Sequence, residues 1–252
     1  GDVSSPAGDG LPEHLGEWIA RDGLTHLKVK LNGDDLAWDL ERVLAVDRLA
    51  QEAAEDRDWR YSLDFNERCE DVEYLLAFLR GLGEREPRAM GRVEYVEQPT
   101  ARKLVDRPEF AMHQAAEIKP VVIDESLTGY DAMVRAGDLG YSGVALKACK
   151  GQTGSLLMAA AAAERDMFVC VQDLTCPGAS FLHSASLASR VPGAAGVEGN
   201  ARQYCPAAND GWGERFPTVF GVEGGSIETG AISGPGLGCV PVDHMIGKVE
   251  EA

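Results

Sequence analysis

A closed α/β barrel of parallel strands is the fold class the sequence predicts, and three observations predict it. Short apolar strands alternate with amphipathic helices along most of the chain, the pattern of a parallel sheet covered by helices. Seven such strands are countable, and 252 residues suit one barrel domain. No GxGxxG follows the first strand, so the competing arrangement, a doubly wound open sheet, lacks its dinucleotide-binding signature.

Residues 1–11 are rich in Gly, Ser, Pro and Asp and read as a flexible start. A helix is expected from Pro12 to Arg21, stopped by Asp22-Gly23. Leu27 to Leu31 alternates apolar residues with Lys28 and Lys30, the period of a strand. Asn32 to Asp35 is a loop and helix cap, and Leu36, Leu40, Val43 and Leu44 share one helical face. Tyr61 to Asp64 is the next strand, followed by a helix bearing Val72, Leu75, Leu76 and Leu79. Val93 to Glu97 is a strand, Pro108 to Ile118 a helix, and Val121 to Asp124 a strand. A short helix over Asp131 to Ala136 leads to the strand Gly143 to Lys147, then the Ala-rich helix Gly154 to Asp166. Phe168 to Gln172, a helix near Ala179 to Ser189, and the strand Ala194 to Glu198 complete the repeat. Beyond Tyr204 the chain is Gly/Pro-rich and is expected to wrap the outside; 12–240 is read as the barrel domain and 241–252 as a tail.

The net charge is −17, from 24 Lys and Arg against 41 Asp and Glu. That balance argues against nucleic acid or an anionic membrane as partner, since both require clustered cations. No apolar run reaches the ~18 residues that a membrane span needs. The six cysteines contain no CxxC pair, so a reduced, cytoplasmic chain with mostly buried free thiols is expected.

In a barrel of this kind the chemistry sits at the C-terminal ends of the strands. Those ends carry Lys28 and Lys30, then Asp64, Glu97 and Asp124, then Lys147. Three carboxylates ending consecutive strands would repel one another in a sheltered site, and a hard divalent cation resolves this. Oxygen ligands point to Mg²⁺, with Mn²⁺ as an alternative, and the lack of a His/Cys cluster argues against zinc. Amines flanking such a cation suit removal of the proton α to a carboxylate through an enediolate, with Lys as the base. A Schiff-base lysine, as in aldolase-type barrels, is the competing chemistry, and the three acids argue against it. A metal-binding barrel without activity is the third reading.

Five stretches in this order resemble a known family: Leu27-Lys-Val-Lys30, Ser62-Leu-Asp64-Phe-Asn66, Tyr95-Val-Glu97-Gln-Pro99, Ile123-Asp124-Glu-Ser126 and Leu146-Lys147-Ala-Cys-Lys150-Gly151. The steps from Lys30 to Asp64, Glu97, Asp124 and Lys147 are 34, 33, 27 and 23 residues, each about one strand-plus-helix unit. The resemblance is to the mandelate racemase/muconate lactonizing enzyme family of the enolase superfamily, in its muconate lactonizing subgroup. It implies a TIM-like (β/α)7β barrel with Asp64, Glu97 and Asp124 as Mg²⁺ ligands and Lys30 and Lys147 as the acid/base pair. It further implies that Lys28 supports the substrate carboxylate and that Asn66, Glu125 and Lys150 stand behind the ligands. Glu198 and Asn200 end the last strand two residues apart and are candidate substrate contacts, against the alternative of loop capping. Asp173 has the same two readings.

The implied reactions are racemisation or epimerisation and cycloisomerisation of a small carboxylate, with β-elimination, as in a dehydratase or o-succinylbenzoate synthase, the alternative on the same site. Members of the family often self-associate, so a homo-oligomer is an expected partner. The family places a capping domain and one further strand ahead of the Lys28–Lys30 strand. Neither is visible in this sequence, so the expectation is a barrel-only chain or a fragment of a longer protein.

Overall fold

The computed structural model describes residues 7–104, 107–234 and 238. The expected tail at 241–252, the first six residues of the expected flexible start, Cys239 and His244 lie outside the described residues. The chain divides into two compact units, Gly1–Gly143 with Glu223–Ser226, and Val144–Val222 with Ile227–Ala252.

The first unit opens with α1 (Leu15–Asp22), β1 (His26–Lys30), α2 (Leu36–Ala53) and β2 (Arg60–Asp64). It continues with α3 (Val72–Arg85), α4 (Pro87–Arg92), β3 (Val93–Glu97), α5 (His113–Ala116), β4 (Val121–Ile123) and α6 (Tyr130–Asp138). Strands β1 to β4 are parallel and lie in chain order. Asp35 caps α2 by accepting from Trp38 N at 3.0 Å, and Asp71 caps α3 by accepting from Tyr74 N at 3.1 Å. On α3 the residues Leu75, Leu76, Phe78, Leu79 and Leu82 form the buried stripe. Phe65, just past β2, meets Phe78 edge-on with ring centroids 5.3 Å apart.

Alternation along β1 buries Leu27 and Val29 on one face and sets Lys28 and Lys30 on the other. In register, Lys30 pairs with Asp64, Asp64 with Glu97, and Glu97 with Val122. A β-bulge sets the middle pairing. Tyr61 lies opposite Val93 but Ser62 opposite Tyr95, so Glu94 is the extra residue. Were Glu94 paired in step with Ser62, Val96 would lie opposite Asp64, and Glu97 would fall one place beyond it and on the other face.

Two acids of α2 are buried, which the sequence reading did not anticipate. Asp39 accepts from Asn32 N at 2.6 Å, Gly33 N at 2.9 Å and Tyr74 Oη at 2.6 Å. It thereby satisfies the loop that follows Lys30. Asp47 accepts from Tyr61 Oη at 2.8 Å and from Arg92 at 2.6 Å. Gly33 has φ +74°, and a Cβ there would lie 2.8 Å from the backbone of Arg68 and Cys69. The loop after β1 therefore presses backbone to backbone on the loop after β2.

The second unit contains β5 (Gly143–Leu146), α7 (Gln152–Ala163), β6 (Phe168–Gln172), α8 (Ala179–Ala188) and β7 (Ala194–Glu198). A bulge between Val169 and Val171 aligns Gln172 with Glu198. Phe181, Leu182, Ala185, Val219 and Ile232 form its core cluster, joined by Trp212, Phe216, Phe220 and Ile227. The Gly/Pro-rich stretch after Tyr204 thus contributes core side chains as well as covering surface.

Several expected elements are corrected. The first helix begins at Leu15 and not at Pro12. Pro108 to Ile118 is not one helix but a 3₁₀ turn, Pro108–Phe110, followed by the short α5. Helix α4 went unseen because it abuts α3; Glu86 caps it and Pro87 starts it. Of the cysteines described, Cys69 and Cys170 are buried, Cys149 is exposed, and Cys176 and Cys205 are half-buried, so the expectation of mostly buried thiols does not hold.

Candidate active site

In the first unit the strand ends bring amines and carboxylates together. Lys28 Nζ lies 3.0 Å from Asp64 Oδ2 and 2.9 Å from Glu97 Oε1, so one ammonium bridges the ends of β2 and β3. Lys30 Nζ lies 2.5 Å from the same Asp64 oxygen and donates to Asn66 Oδ1 at 2.9 Å. The two amines differ in access: the Lys28 side chain is 15% exposed and that of Lys30 54%. Asp64 and Glu97 are fully buried, and Asp124, just past β4, nearly so.

Asp64 fills two roles at once. Its Oδ1 caps the following loop by accepting from Asn66 N at 2.8 Å, while Oδ2 faces the amines. Burial pushes its carboxyl up, but the Lys28 and Lys30 ammoniums outweigh that and hold it below the usual carboxylate value. Asn66 adopts the left-handed region at φ +46°, which Asn tolerates, and its Nδ2 donates to Glu125 Oε1 at 3.2 Å. The other Glu125 oxygen, Oε2, is buried with no hydrogen-bond partner. Burial raises the pKa of Glu125, and the neighbouring charges of Asp124 and Asp64 raise it further.

Gln98 is the site residue that the sequence reading missed. It is fully buried, at φ +32°, and its amide ties two loops together. Oε1 accepts from Asp124 N at 3.0 Å and Ser126 N at 3.1 Å, and Nε2 donates to Thr100 O at 3.0 Å and Ser126 Oγ at 2.8 Å. Asp124 therefore takes its position from a side chain on the preceding strand end. A glutamine following a strand-end acid was the only signal of this. Glu67, in the loop after β2, and Arg102, in the loop after β3, join those two loops through a bidentate pair with contacts of 2.8 and 2.5 Å.

In the second unit, Lys147 follows β5 directly in extended conformation and is buried. Its carbonyl accepts from Ser155 Oγ at 3.1 Å. Lys150 is exposed, in the 3₁₀ turn Ala148–Lys150. Asn200 donates to Glu198 Oε1 at 2.8 Å and accepts from Thr175 Oγ1 at 2.9 Å. Asp173 is fully buried and accepts from Thr175 N and Ala201 N, each at 2.8 Å, which is the loop-capping role.

The family model described as Enolase C-terminal domain-like matches residues 10–244. The chain belongs to that family. No curated protein matches it in sequence. Among solved structures it is similar to a mandelate racemase/muconate lactonizing protein from Herpetosiphon aurantiacus, at 26% identity and TM-score 0.62, over 75% of this chain and 50% of that one. It is similar in fold to muconate cycloisomerase from Pseudomonas fluorescens, at 21% identity and TM-score 0.60, over 74% of this chain and 48% of that one. It is also similar in fold to a dipeptide epimerase from Cytophaga hutchinsonii solved with Mg and the dipeptide D-Ala-L-Val, at 23% identity and TM-score 0.55, over 73% and 46%. The chain spans about half the length of these structures. The seven strands and intervening helices of the described residues are the α/β architecture of the enolase-type barrel domain. Among the described residues no helix is long and apolar enough to cross a membrane.

Among the described residues no three His, Cys, Asp or Glu side chains stand at the spacing of a formed metal shell. The donor chemistry nevertheless suits a hard divalent cation. Asp64 and Glu97 already share a cation, the Lys28 ammonium, and Glu125 Oε2 is a buried carboxyl oxygen with no hydrogen-bond partner beside them. Two of the three acids expected to meet around an ion, Asp64 and Glu97, are thus held by one lysine.

Proposed function

We propose that this enolase-type barrel domain serves Mg²⁺-dependent proton transfer at the carbon α to a carboxylate, giving racemisation, epimerisation or cycloisomerisation of a small substrate. One observation carries the reading: in a chain of this family, the Lys28–Lys30 strand sets both amines on strand-end carboxylates in register with it.

Asp64, Glu97 and Asp124 would hold the cation, and Glu125 and Asn66 would support them. Bound there, Mg²⁺ would neutralise negative charge developing on the substrate carboxylate. Lys30, the more open amine, is the proposed proton acceptor; Asp64 and Asn66 aim it through contacts of 2.5 and 2.9 Å. Lys28, set between two acids, is the fixed positive charge that attracts the substrate carboxylate. Lys147 is the proposed second acid/base, with Glu198 and Asn200 as substrate contacts. The Mg and dipeptide in the Cytophaga epimerase structure support testing N-acyl amino acids and dipeptides first.

The test is exchange of the substrate α-hydrogen in deuterium oxide, followed by NMR, together with calorimetric Mg²⁺ titration. Lys30→Ala and Lys147→Ala are expected to abolish exchange while leaving Mg²⁺ affinity within about threefold, under 1 kcal/mol. Asp64→Asn, Glu97→Gln and Asp124→Asn are expected to weaken Mg²⁺ binding. Mg²⁺ binding without exchange on any carboxylate tried would identify a metal-binding domain instead, and borohydride trapping of a keto acid in chelator would identify Schiff-base chemistry.

A further inference from the structure

Helix α7, in the second unit, carries no charged residue from Gln152 to Ala163. Its polar residues sit in the first turn, and Leu156 to Ala163 is apolar on every side. A helix of that kind is normally enclosed on all faces. Here Ser155, Met158, Ala159, Ala161 and Ala162 form a buried face. Thr153, Leu156, Leu157, Ala160 and Glu164 recur at helical spacing on the opposite side and are exposed, Leu157 at 61% and Leu156 at 38%. The other described helices of eight or more residues either bear charges at exposed positions or, like α8, are uncharged with no exposed residue. A net charge of −17 makes two copies of the chain repel, and this uncharged face is where they can meet without bringing acids together.

The face is asymmetric from end to end. Leu156 and Leu157 stand in its first half, Ala160 and Ala163 in its second. Lys150, exposed just before the helix, sets a cation at the first end, and Glu164, exposed just after it, an anion at the second. Arg165 and Asp166, which follow, offset each other. A parallel pair of such helices would set leucine on leucine and like charge beside like. An antiparallel pair sets leucine over alanine and Lys150 of one copy toward Glu164 of the other, and it opposes the two helix dipoles.

We infer that the exposed face of α7 is a self-association surface, on which a second copy of this chain docks its own α7 antiparallel about a two-fold axis between Leu157 and Ala160. The alanines let the helix axes approach to about 8 Å. A stripe about 18 Å long covers less than the ~800 Å² per partner of a stable interface, so the dimer is weak and concentration-dependent. Its dissociation constant is expected between about 1 μM and about 1 mM.

The experiment is sedimentation velocity on the full chain across about 2 μM to about 1 mM, under reductant, so that exposed Cys149 does not cross-link copies. The dimer fraction should rise with concentration. Leu157→Glu sets one carboxylate from each copy beside the axis and should weaken association at least about tenfold. At an exposed position it should leave the Tm within about 2 °C. Glu164→Lys should weaken the dimer about twofold, and Lys150→Glu added to it should restore it. A chain monomeric across the range, or a dimer that Leu157→Glu leaves intact, would overturn the proposal. In such a monomer, a lowered Tm for Leu157→Glu would identify a segment of the same chain as what covers the face. A Glu164→Lys dimer that Lys150→Glu does not restore would overturn the antiparallel pairing.

Discussion

Replacing Lys28 by methionine keeps the bulk of the stem and removes the ammonium that bridges Asp64 and Glu97 at 3.0 and 2.9 Å. Removing one partner of a buried pair costs about 3–5 kcal/mol. Lys28 is slightly exposed and Asp64 keeps Lys30, so the low end, about 3 kcal/mol, applies. For a chain of this size that is a fall in Tm of about 6–12 °C. Lys30→Met removes a half-exposed amine and should cost about 1 kcal/mol or less. The pH dependence has a definite sign. The Asp64 carboxyl is held below its usual value, so its stabilising contribution is complete above ~3.9 and disappears as pH falls through the lowered value. The gap between the unmutated chain and Lys28→Met should therefore hold from about pH 7 down to about 4 and close only as pH falls further, through the lowered value. If the proposed cation site exists, saturating Mg²⁺ should raise the Tm of Lys28→Met more than that of the unmutated chain, because a competing cation has been removed. Calorimetric melts across pH, with and without Mg²⁺, measure all of this. A Lys28→Met protein melting within about 2 °C of the original at neutral pH would refute the bridging role.

Gly33→Ala should destabilise by at least about 2 kcal/mol, since φ is +74° and the new methyl meets backbone 2.8 Å away; urea unfolding should show a lower midpoint at unchanged slope. Gln98→Leu strips partners from buried backbone groups and should cost about 3 kcal/mol or more, with faster hydrogen exchange at the Asp124 and Ser126 amides. Protection of those two amides unchanged in a folded variant would contradict the role given to Gln98. Tyr74→Phe removes one of three donors to Asp39 and should cost about 1 kcal/mol in the same unfolding assay.

The strand-end residues were legible because alternation is a period-two signal. Leu27 and Val29 had to face the helices, which forced Lys28 and Lys30 to the opposite side. Spacing then put Asp64, Glu97 and Asp124 on successive strands. The bulge at Glu94 was not legible, because one extra residue leaves no periodic trace, yet it aligns Glu97 with Asp64. Asp39 and Asp47 lie on the same α2 face as Val43 and Ala50, so they could have been read as buried acids awaiting Tyr74, Tyr61 and Arg92 as donors. Gln98 carries no charge and no period, and its importance appears only once the two loops are close. The stretch 108–118 misled because its apolar residues mimic a helical face, while turns at Pro108 and Met112 break it.

The contact between Lys28 and Glu97 joins residues 69 apart in sequence, and that between Lys30 and Asp64 joins residues 34 apart. The segment between Lys28 and Glu97 contains α2, β2, α3 and α4, so this pairing forms only after all four have been made. A polypeptide released by the ribosome before β3 would present two lysines to a single aspartate. Two ammoniums meet two carboxylates at the ends of β1 to β3 only when the third strand docks.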